Sequence, residues 1–407
     1  MDDLRIDGER LNQRLMTMAE IGKTAKGGVC RVALTEEDRK GRDLFVQWCE
    51  ELGCQITIDE MGNIFARRTG RNNDLEPVLM GSHLDSQPTG GKYDGVLGVL
   101  AGLEVIETLN EQNIVTERPL ELVSWTNEEG ARFQPAMISS GVFGGAFDLD
   151  FAYNQKDAEG IRLEDALEEI GYKGRPREAV QYKASLELHI EQGPVLEAEN
   201  KTIGVVTGVQ GVRWYELEIT GKEAHAGPTP MQMRQDPVQT MAKILSDLYQ
   251  GLPTDNQARL TIGRIETKPG VINTVAGVVS LSIDIRHPEA AQLDRMDQLM
   301  KFYLGKLKAD GTALNLKEVW HSPPLAFAPE CVAAVSEAAK ELNLSHMNIT
   351  SGAGHDAVYV ARVAPTSMIF IPCKDGLSHN ELEYASPEHI EAGANVLLQA
   401  VLKLSNE

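Results

Sequence analysis

Four short apolar segments of the chain each end in a loop that carries carboxylate or imidazole side chains. These segments lie at 78–80, 120–125, 186–190 and 367–372. A helical spacing of apolar residues over 96–109 follows the first loop. Strands that alternate with helices predict an α/β fold with a mainly parallel sheet flanked by helices. Ligands bind such sheets beyond the carboxyl ends of the strands, so we expect the four loops to meet there.

A second pattern occupies residues 212–328. It predicts strand, helix, strand, strand, helix and strand, with the helices at about 236–250 and 289–307. This order is typical of a split β-α-β unit, a ferredoxin-like α+β domain. A chain of 407 residues is also too long for one ordinary core. We therefore predict two domains, one formed by 1–211 with 329–407 and the other by the inserted segment.

The strand-end loops contain the residue types that hold a pair of divalent metal ions. Two ions about 3.5 to 4 Å apart can share one carboxylate and one water, which lowers the pKa of the water. Asp94, at the predicted start of a helix, is the natural bridging carboxylate. Imidazoles and a further carboxylate complete a site of this kind. The predicted ligands are His83, Asp94, His189, His379 and one glutamate of the pair Glu128 and Glu129.

The adjacent residues Glu128 and Glu129 are expected to have different roles. Because adjacent side chains cannot face one ion in the same way, one glutamate is expected to bind metal. The other is expected to take a proton from the bridging water. The residues alone do not say which of Glu128 and Glu129 does which. Asp85, two residues after His83, is placed to orient that imidazole. Taken singly, Asp94 also suits a helix cap, and it is the joint placement at strand ends that favours a site.

Three residues of the inserted segment are candidates for binding a substrate. His225, in the loop 221–230, suits either a surface turn or a donor to negative charge that develops during the reaction. Asn273 and Arg286 are equally open, because most arginines on the polar face of a strand are simply solvated. An anionic substrate of an acidic protein would nevertheless need a guanidinium, which pairs with a carboxylate through two hydrogen bonds.

Composition limits the kind of partner. A formal net charge of −21 repels nucleic acid and anionic membranes, so a small-molecule substrate is expected, with no nucleic acid or membrane partner.

The five cysteines have no C-x-x-C spacing, which indicates reduced thiols in a cytoplasmic protein. A polar N-terminal segment predicts no secretion signal. The stretch 352–356 is rich in glycine but lacks the lysine of a phosphate-binding loop.

Longer motifs resemble one known group. They are residues 81–95, 125–133, 187–193, 221–230 and 378–380, in order along nearly the whole chain. They are similar to the di-metal aminoacylase and carboxypeptidase-like superfamily, and within it to the hydantoinase/carbamoylase branch of amidases. The resemblance implies a zinc-peptidase-like catalytic domain, with the inserted domain as both lid and dimer interface.

The resemblance also implies a role for each site residue. Asp94 would bridge two ions, one held with His83 and His189 and the other with Glu129 and His379. Glu128 would then be the general base. Ser378 stands where some relatives carry glycine, so no contact is predicted for it. The residues implied to hold substrate are Gln192, His225, Asn273 and Arg286, with His225 reaching the site of the partner subunit in a homodimer.

The activity that the resemblance implies is hydrolysis of an N-carbamoyl-L-amino acid to the amino acid, carbon dioxide and ammonia. Allantoate, ureidoglycolate and N-carbamoyl-β-alanine are alternative substrates, because each presents a ureido carbonyl near a carboxylate. A protein that binds metal without turnover is the alternative outside the enzymes. Two divalent ions per subunit are expected, zinc or manganese first, although such ligands also accept cobalt or nickel.

Overall fold

The computed structural model describes residues 4–306 and 311–407 and divides them into two units. The large unit ends at Thr207 and resumes at Phe327, and the small unit runs from Gly208 to Ala326. Both boundaries fall a few residues before the predicted ones. In the described residues, no helix is both long and apolar enough to cross a membrane.

The helices vary from single turns to long segments. They are α1 (Gly8–Ala19), α2 (Glu36–Glu51), α3 (Val96–Glu111), α4 (Ile138–Phe143), α5 (Leu149–Tyr153), α6 (Leu163–Glu169), α7 (Val195–Ala198), α8 (Pro237–Gly251), α9 (Ala290–Lys306), α10 (Pro329–Glu341), α11 (Ala357–Val360) and α12 (Pro387–Asn406). Short 3₁₀ turns cover Met231–Met233 and Lys374–Gly376. Position 307, the predicted end of the second helix in the inserted segment, lies outside the described residues.

The strands form three sheets. They are β1 (Gln55–Ile58), β2 (Ile64–Arg68), β3 (Val78–His83), β4 (Leu120–Trp125), β5 (Ala184–Ile190), β6 (Ile203–Val209), β7 (Gly211–Thr220), β8 (Ala224–His225), β9 (Arg259–Thr261), β10 (Ile265–Lys268), β11 (Thr274–Val275), β12 (Val278–His287), β13 (Ala313–Ser322), β14 (Leu325–Ala326), β15 (His346–Ser351) and β16 (Thr366–Ile371).

Four parallel strands form the centre of the main sheet, in the order β4-β3-β5-β16. Every residue of these four strands is buried. Burial on both faces explains why their sequences are continuous apolar runs rather than alternating ones. Antiparallel strands extend the sheet on both sides, β2 and β1 beyond β4, and β6 beyond β16. The predicted α/β fold with a mainly parallel sheet is therefore confirmed.

Helices cover the central strands. Helix α3 packs on β3, and α12 packs on α3, β5 and β16. Met80 and Leu122 face the large apolar core that these helices complete. Their neighbours Leu79 and Val123 point to the opposite face, where a smaller apolar cluster lies. Because parallel strands all end at the same edge, this arrangement brings the loops after β3, β4, β5 and β16 to one place.

The small unit contains a five-stranded antiparallel sheet in the order β13-β7-β12-β10, with β9 also paired to β12. Helices α8 and α9 pack against each other and against β7 and β12. In β12 the burial alternates at every residue, as expected for a strand with one covered face. The strand and helix order is that of the predicted split β-α-β unit.

Some elements were not predicted from the sequence. Strand β6, strand β15 and the short helices α4 to α6 lie in segments whose periodicity is weak or too short to read. The antiparallel edges were also not predicted, because strand direction is not encoded in an apolar pattern. Strand β15 matters most for function, since the glycine-rich stretch 352–356 follows its last residue directly.

Candidate metal centre

His83, Asp94 and His189 meet in the large unit. His83 ends β3, His189 lies in β5, and Asp94 stands two residues before α3. The Nε2 atoms of His83 and His189 lie 3.7 and 3.2 Å from Asp94 Oδ1. One ligand atom from each residue lies within 4.8 Å of the other two, and all three residues are buried. These residues can hold one metal ion.

A second group shares Asp94. His379 Nε2 lies 3.1 Å from Glu129 Oε2 and 3.6 Å from Asp94 Oδ2. The ligand atoms of Asp94, Glu129 and His379 again lie within 4.8 Å of one another. Oδ1 of Asp94 therefore faces the first group and Oδ2 faces the second. One oxygen for each ion is the arrangement that a bridging carboxylate requires.

The backbone around these residues adopts conformations that few side chains tolerate. Gly95 has φ +69°, and a Cβ added there would lie 2.3 Å from the His83 ring. Only glycine therefore lets the chain turn into α3 directly beside that ligand. Asn127, Gln192 and His379 also have positive φ, at 57°, 58° and 52°. Such residues concentrate at functional sites, where the surrounding fold holds the strained conformation in place.

Asp85 does not act in the simple way that the sequence predicts. The His83 Nδ1 atom lies 2.9 Å from the backbone carbonyl oxygen of Asp85, whereas the nearer carboxylate oxygen is 3.9 Å away. The Asp85 carboxylate instead accepts hydrogen bonds from the backbone N–H groups of Glu128 and Glu129, each at 3.2 Å. These two donors occupy the Asp85 carboxylate. The backbone carbonyl of Asp85 therefore orients the His83 imidazole, and the Asp85 side chain positions Glu128 and Glu129.

Glu128 belongs to neither group of three ligands. It is buried, and its Oε2 atom lies 3.5 Å from His83 Nε2. Burial raises the pKa of Glu128 well above its ordinary value, and the charge of Asp356 and of nearby carboxylates adds to the effect. A cation bound beside it acts in the opposite direction. Glu128 thus lies beside His83 and outside the two candidate ligand groups that contain Asp94.

The ligands are electrostatically complementary. Burial lowers the pKa of His189, but its hydrogen bond to Asp94 and the Asp94 charge outweigh this and raise the pKa to about 9. A hydrogen bond with Glu129 raises the pKa of His379 to about 9 as well. Burial opposes ionisation of Asp94, yet His189 and the other imidazoles hold its pKa well below the ordinary value. In the protein without ions, protons therefore balance part of the buried negative charge.

Gln192 lies beside the shared ligand. Its side-chain Nε2 donates to Asp94 Oδ2 at 2.8 Å. Its Oε1 atom is buried and has no hydrogen-bond partner among the residues that the structure describes. A buried acceptor of this kind is costly unless a ligand or water satisfies it. Gln192, which the sequence predicts to hold substrate, thus has one polar atom available at the metal centre.

Three buried residues of the centre were not predicted from the sequence. Glu187 accepts a hydrogen bond from Ser82 Oγ at 2.7 Å. The His355 ring packs edge-on against His189 with centroids 4.6 Å apart, and burial lowers its pKa well below the ordinary value. Burial and the Glu187 charge raise the pKa of Asp356. The sequence did offer a clue to Glu187, because a glutamate inside an apolar strand is unusual. His355 and Asp356 could have been considered if β15, the strand that precedes them, had been predicted.

The remaining predicted residues lie in the small unit. His225, on β8, pairs with Thr274 on β11, and the Ala226 N–H donates to the Asn273 carbonyl oxygen at 2.9 Å. The β8-β11 ladder thus brings His225 and Asn273 together. Arg286, on β12, pairs through Nε and a terminal nitrogen with Asp284, at 2.9 and 2.8 Å. Their roles toward a substrate stay predictions.

Comparison with known proteins places this centre in a family. The model of peptidase family M20/M25/M40 matches residues 79–403, which include all the predicted ligands. The chain belongs to peptidase family M20/M25/M40. This membership confirms the resemblance that the motifs indicate, and divalent metal binding fits both the family and the two candidate ligand groups that contain Asp94.

Within this family, the chain is similar to several amidases. It is 47% identical over 406 residues to an N-carbamoyl-L-amino-acid amidohydrolase of Rhizobium meliloti, covering 99% of this chain and 97% of the relative. An allantoate amidohydrolase of Bacillus subtilis is 35% identical, over 95% of each chain. The crystal structure of a hydantoinase/carbamoylase family amidase from Burkholderia multivorans is 52% identical, with a TM-score of 0.95 over 99% of each chain.

Proton release on metal binding tests the electrostatics of this M20-family centre. With pKa values raised to about 9, His189 and His379 are protonated near neutral pH when no ion is bound. A ligating imidazole must be neutral, so binding of Zn²⁺ to the ion-free protein should release protons, and affinity should rise as pH increases toward 9. Calorimetry in two buffers of different ionisation enthalpy measures the release. Binding without proton release would contradict this assignment.

Proposed function

We propose that the protein is a metal-dependent amidohydrolase that cleaves the ureido group of an N-carbamoyl-L-amino acid to the amino acid, carbon dioxide and ammonia. The observation that carries this proposal is the position of Glu128, buried beside His83 yet outside both groups of metal ligands. A protein that only binds metal has no use for a buried carboxylate in that place. The relative from Rhizobium meliloti bears the name of this activity.

Two divalent ions per subunit are part of the proposal. His83, Asp94 and His189 would hold one ion, and Asp94, Glu129 and His379 would hold the other. Zinc or manganese suits these nitrogen and oxygen donors best, and cobalt or nickel is also compatible. When bound, the pair of ions supplies a water of lowered pKa and polarises the carbonyl that is attacked.

Glu128 moves the proton. Its carboxylate takes a proton from the attacking water and returns it to the ureido nitrogen that leaves when the first C–N bond breaks. The carbamate that remains then loses carbon dioxide, which breaks the second C–N bond and completes the release of the amino acid and ammonia. The ordinary pKa of a glutamate is too low for an efficient base near neutral pH. Burial raises the pKa of Glu128, and bound cations would act against this shift. Asp85 holds the backbone of Glu128 through its hydrogen bond, which fixes the direction of the carboxylate. The base is thus oriented before the reaction starts.

A site that binds a ureido acid needs hydrogen-bond acceptors for the ureido N–H groups and a cation for the carboxylate. The unpaired Oε1 atom of Gln192 is placed to accept a hydrogen bond from a ureido N–H group. Arg286, with Asn273, would bind the α-carboxylate, and Asp284 fixes the guanidinium through two hydrogen bonds. His225 would stabilise the negative charge on the carbonyl oxygen during attack. We further propose a homodimer in which His225 serves the partner subunit and the small unit acts as lid and interface.

Related ureido acids are the alternative substrates. The similarity to an allantoate amidohydrolase favours allantoate as the second candidate, ahead of ureidoglycolate and N-carbamoyl-β-alanine. All four carry a ureido carbonyl close to a carboxylate, so the same Glu128 chemistry serves them.

All five cysteines are free thiols, which supports a reducing compartment such as the cytoplasm.

A substrate panel tests the proposed activity. The four ureido acids are offered to metal-loaded protein, to protein stripped with a chelator, and to stripped protein after metal is restored. We expect ammonia release from an N-carbamoyl-L-amino acid to exceed release from the other three, to vanish on stripping and to return with metal. Release only from allantoate would select the alternative substrate. No release from any member would favour a metal-binding protein without turnover.

Substitution of Glu128 tests the base. Glu128→Gln keeps the shape of the side chain but cannot accept the proton, so kcat should fall by about 100-fold or more while both ions stay bound. Glu169→Gln, the same change at an exposed position, is the matched control and should retain full activity. Metal content measured by atomic emission separates loss of the base from loss of the ions. Near-normal turnover of Glu128→Gln with both ions present would show that the base lies elsewhere.

A further inference from the structure

Glu383 is a buried carboxylate that the proposed chemistry does not use. It is only 4% exposed, yet it belongs to neither group of metal ligands. It lies four residues after His379, in the loop between β16 and α12. A buried carboxylate is retained only where hydrogen bonds or charges compensate its lost hydration. Its contacts therefore indicate what it holds.

The Glu383 carboxylate is bound to the segment that carries Asp94. Its Oε1 atom accepts hydrogen bonds from the backbone N–H groups of Tyr93 at 3.0 Å and of Asp94 at 3.1 Å. The approach is close, because a Cβ added at Gly91 would lie 2.1 Å from the Glu383 side chain. Two backbone N–H groups that donate to one carboxylate oxygen fix the direction of the peptide unit before Asp94.

The other carboxylate oxygen of Glu383 lies close to the Ser378 hydroxyl, which also contacts Asp94. The Ser378 hydroxyl lies 3.1 Å from Glu383 Oε2 and 2.7 Å from Asp94 Oδ2. The hydroxyl has a single hydrogen, and the shorter distance assigns it to Asp94. Ser378, for which no contact was predicted, thus donates to Asp94 and lies beside Glu383. Together, Glu383 and Ser378 hold both the backbone and the side chain of Asp94.

The same loop is itself anchored. The Glu383 N–H donates to the Asn380 carbonyl oxygen at 3.0 Å, and the Lys374 N–H donates to the Tyr384 carbonyl oxygen at 2.8 Å. The rings of Tyr93 and Tyr384 pack edge to face with centroids 6.3 Å apart. The loop that carries His379 and the loop that carries Asp94 are thus joined on both sides of Glu383.

We propose that Glu383 is a positioning residue that holds Asp94 so that one carboxylate oxygen faces each group of ligands. The inference rests on the proposed function, because it assumes that Asp94 bridges two ions. Removal of Glu383 would free the peptide at Asp94 and let the carboxylate rotate away from one position. Partners that orient metal ligands typically change metal affinity by about 10- to 100-fold when they are mutated.

The test compares Glu383→Ala with Glu383→Gln. Zn²⁺ affinity and stoichiometry are measured by competition with a chromophoric chelator, and the visible spectrum of the Co²⁺ form reports ligand geometry. Glu383→Ala should lose about 10- to 100-fold in affinity for at least one ion and show an altered Co²⁺ spectrum. Glu383→Gln should recover most of the affinity, because its amide oxygen can still accept both backbone N–H bonds.

Two controls keep the outcome unambiguous. Glu381→Ala removes a carboxylate from the same loop, which pairs with Lys26 at 3.4 Å, and should leave both affinities unchanged. Ser378→Ala removes only the hydroxyl link and replaces Glu383→Ala if that variant does not fold. Urea unfolding of each ion-free variant measures general stability.

Three results would overturn the proposal. The first is wild-type affinity and spectrum in Glu383→Ala while the wild-type protein binds two ions. The second is an equal loss of metal affinity in the Ala and Gln variants that matches their loss of stability. That result would mean that Glu383 only stabilises the fold. The third is failure of the wild-type protein to bind any divalent ion, which overturns the proposed function together with this inference.

Discussion

The buried carboxylate of Asp94, surrounded by three imidazoles, is the interaction on which the rest of the site depends. Its two oxygens face different neighbours, His83 and His189 on one side and His379 on the other. Further carboxylates lie around it with little access to water: Asp85, Glu128, Glu187, Asp356 and Glu383. So much buried negative charge is stable only with compensating cations or protons. Protons on His189 and His379 supply part of this charge, and divalent ions would supply it more completely.

The fold meets this requirement by its sheet order. Strands β3, β4, β5 and β16 are parallel neighbours, so residues from distant parts of the sequence arrive at one edge. Short loops with positive φ then turn individual side chains inward. Backbone N–H groups of those loops donate hydrogen bonds to the carboxylates of Asp85 and Glu383, and these bonds fix the loops. The fully buried strands provide a rigid base, and the polar residues at their ends provide the chemistry.

Much of the site could be predicted from the sequence because it follows one topological rule. His83, Glu128 and Glu129 stand at or directly after strand ends, where a parallel sheet collects ligands. His355 and Asp356, which follow β15, were not predicted, because β15 has a weak strand pattern. Glu383 follows no local rule. Its role depends on contacts with residues almost three hundred positions away, and no periodicity encodes such contacts.

The role of Asp85 shows a second reason why the structure differs from the prediction made from the sequence. A carboxylate two residues from a histidine can bond either to that ring or to nearby backbone donors. The structure selects the backbone of Glu128 and Glu129. That choice depends on where another loop lies, and sequence spacing contains no such information. Residue types at strand ends were thus predictable, whereas the hydrogen bonds that orient them required coordinates.

Anomalous diffraction from crystals of the zinc-loaded protein, measured above and below the zinc edge, shows whether Asp94 bridges two ions. We predict two peaks about 3.5 to 4 Å apart, with Asp94 contributing one oxygen to each. One peak should lie among His83, Asp94 and His189, and the other among Asp94, Glu129 and His379. A single peak, or two peaks without Asp94 between them, would contradict the assignment of Asp94 as the shared ligand.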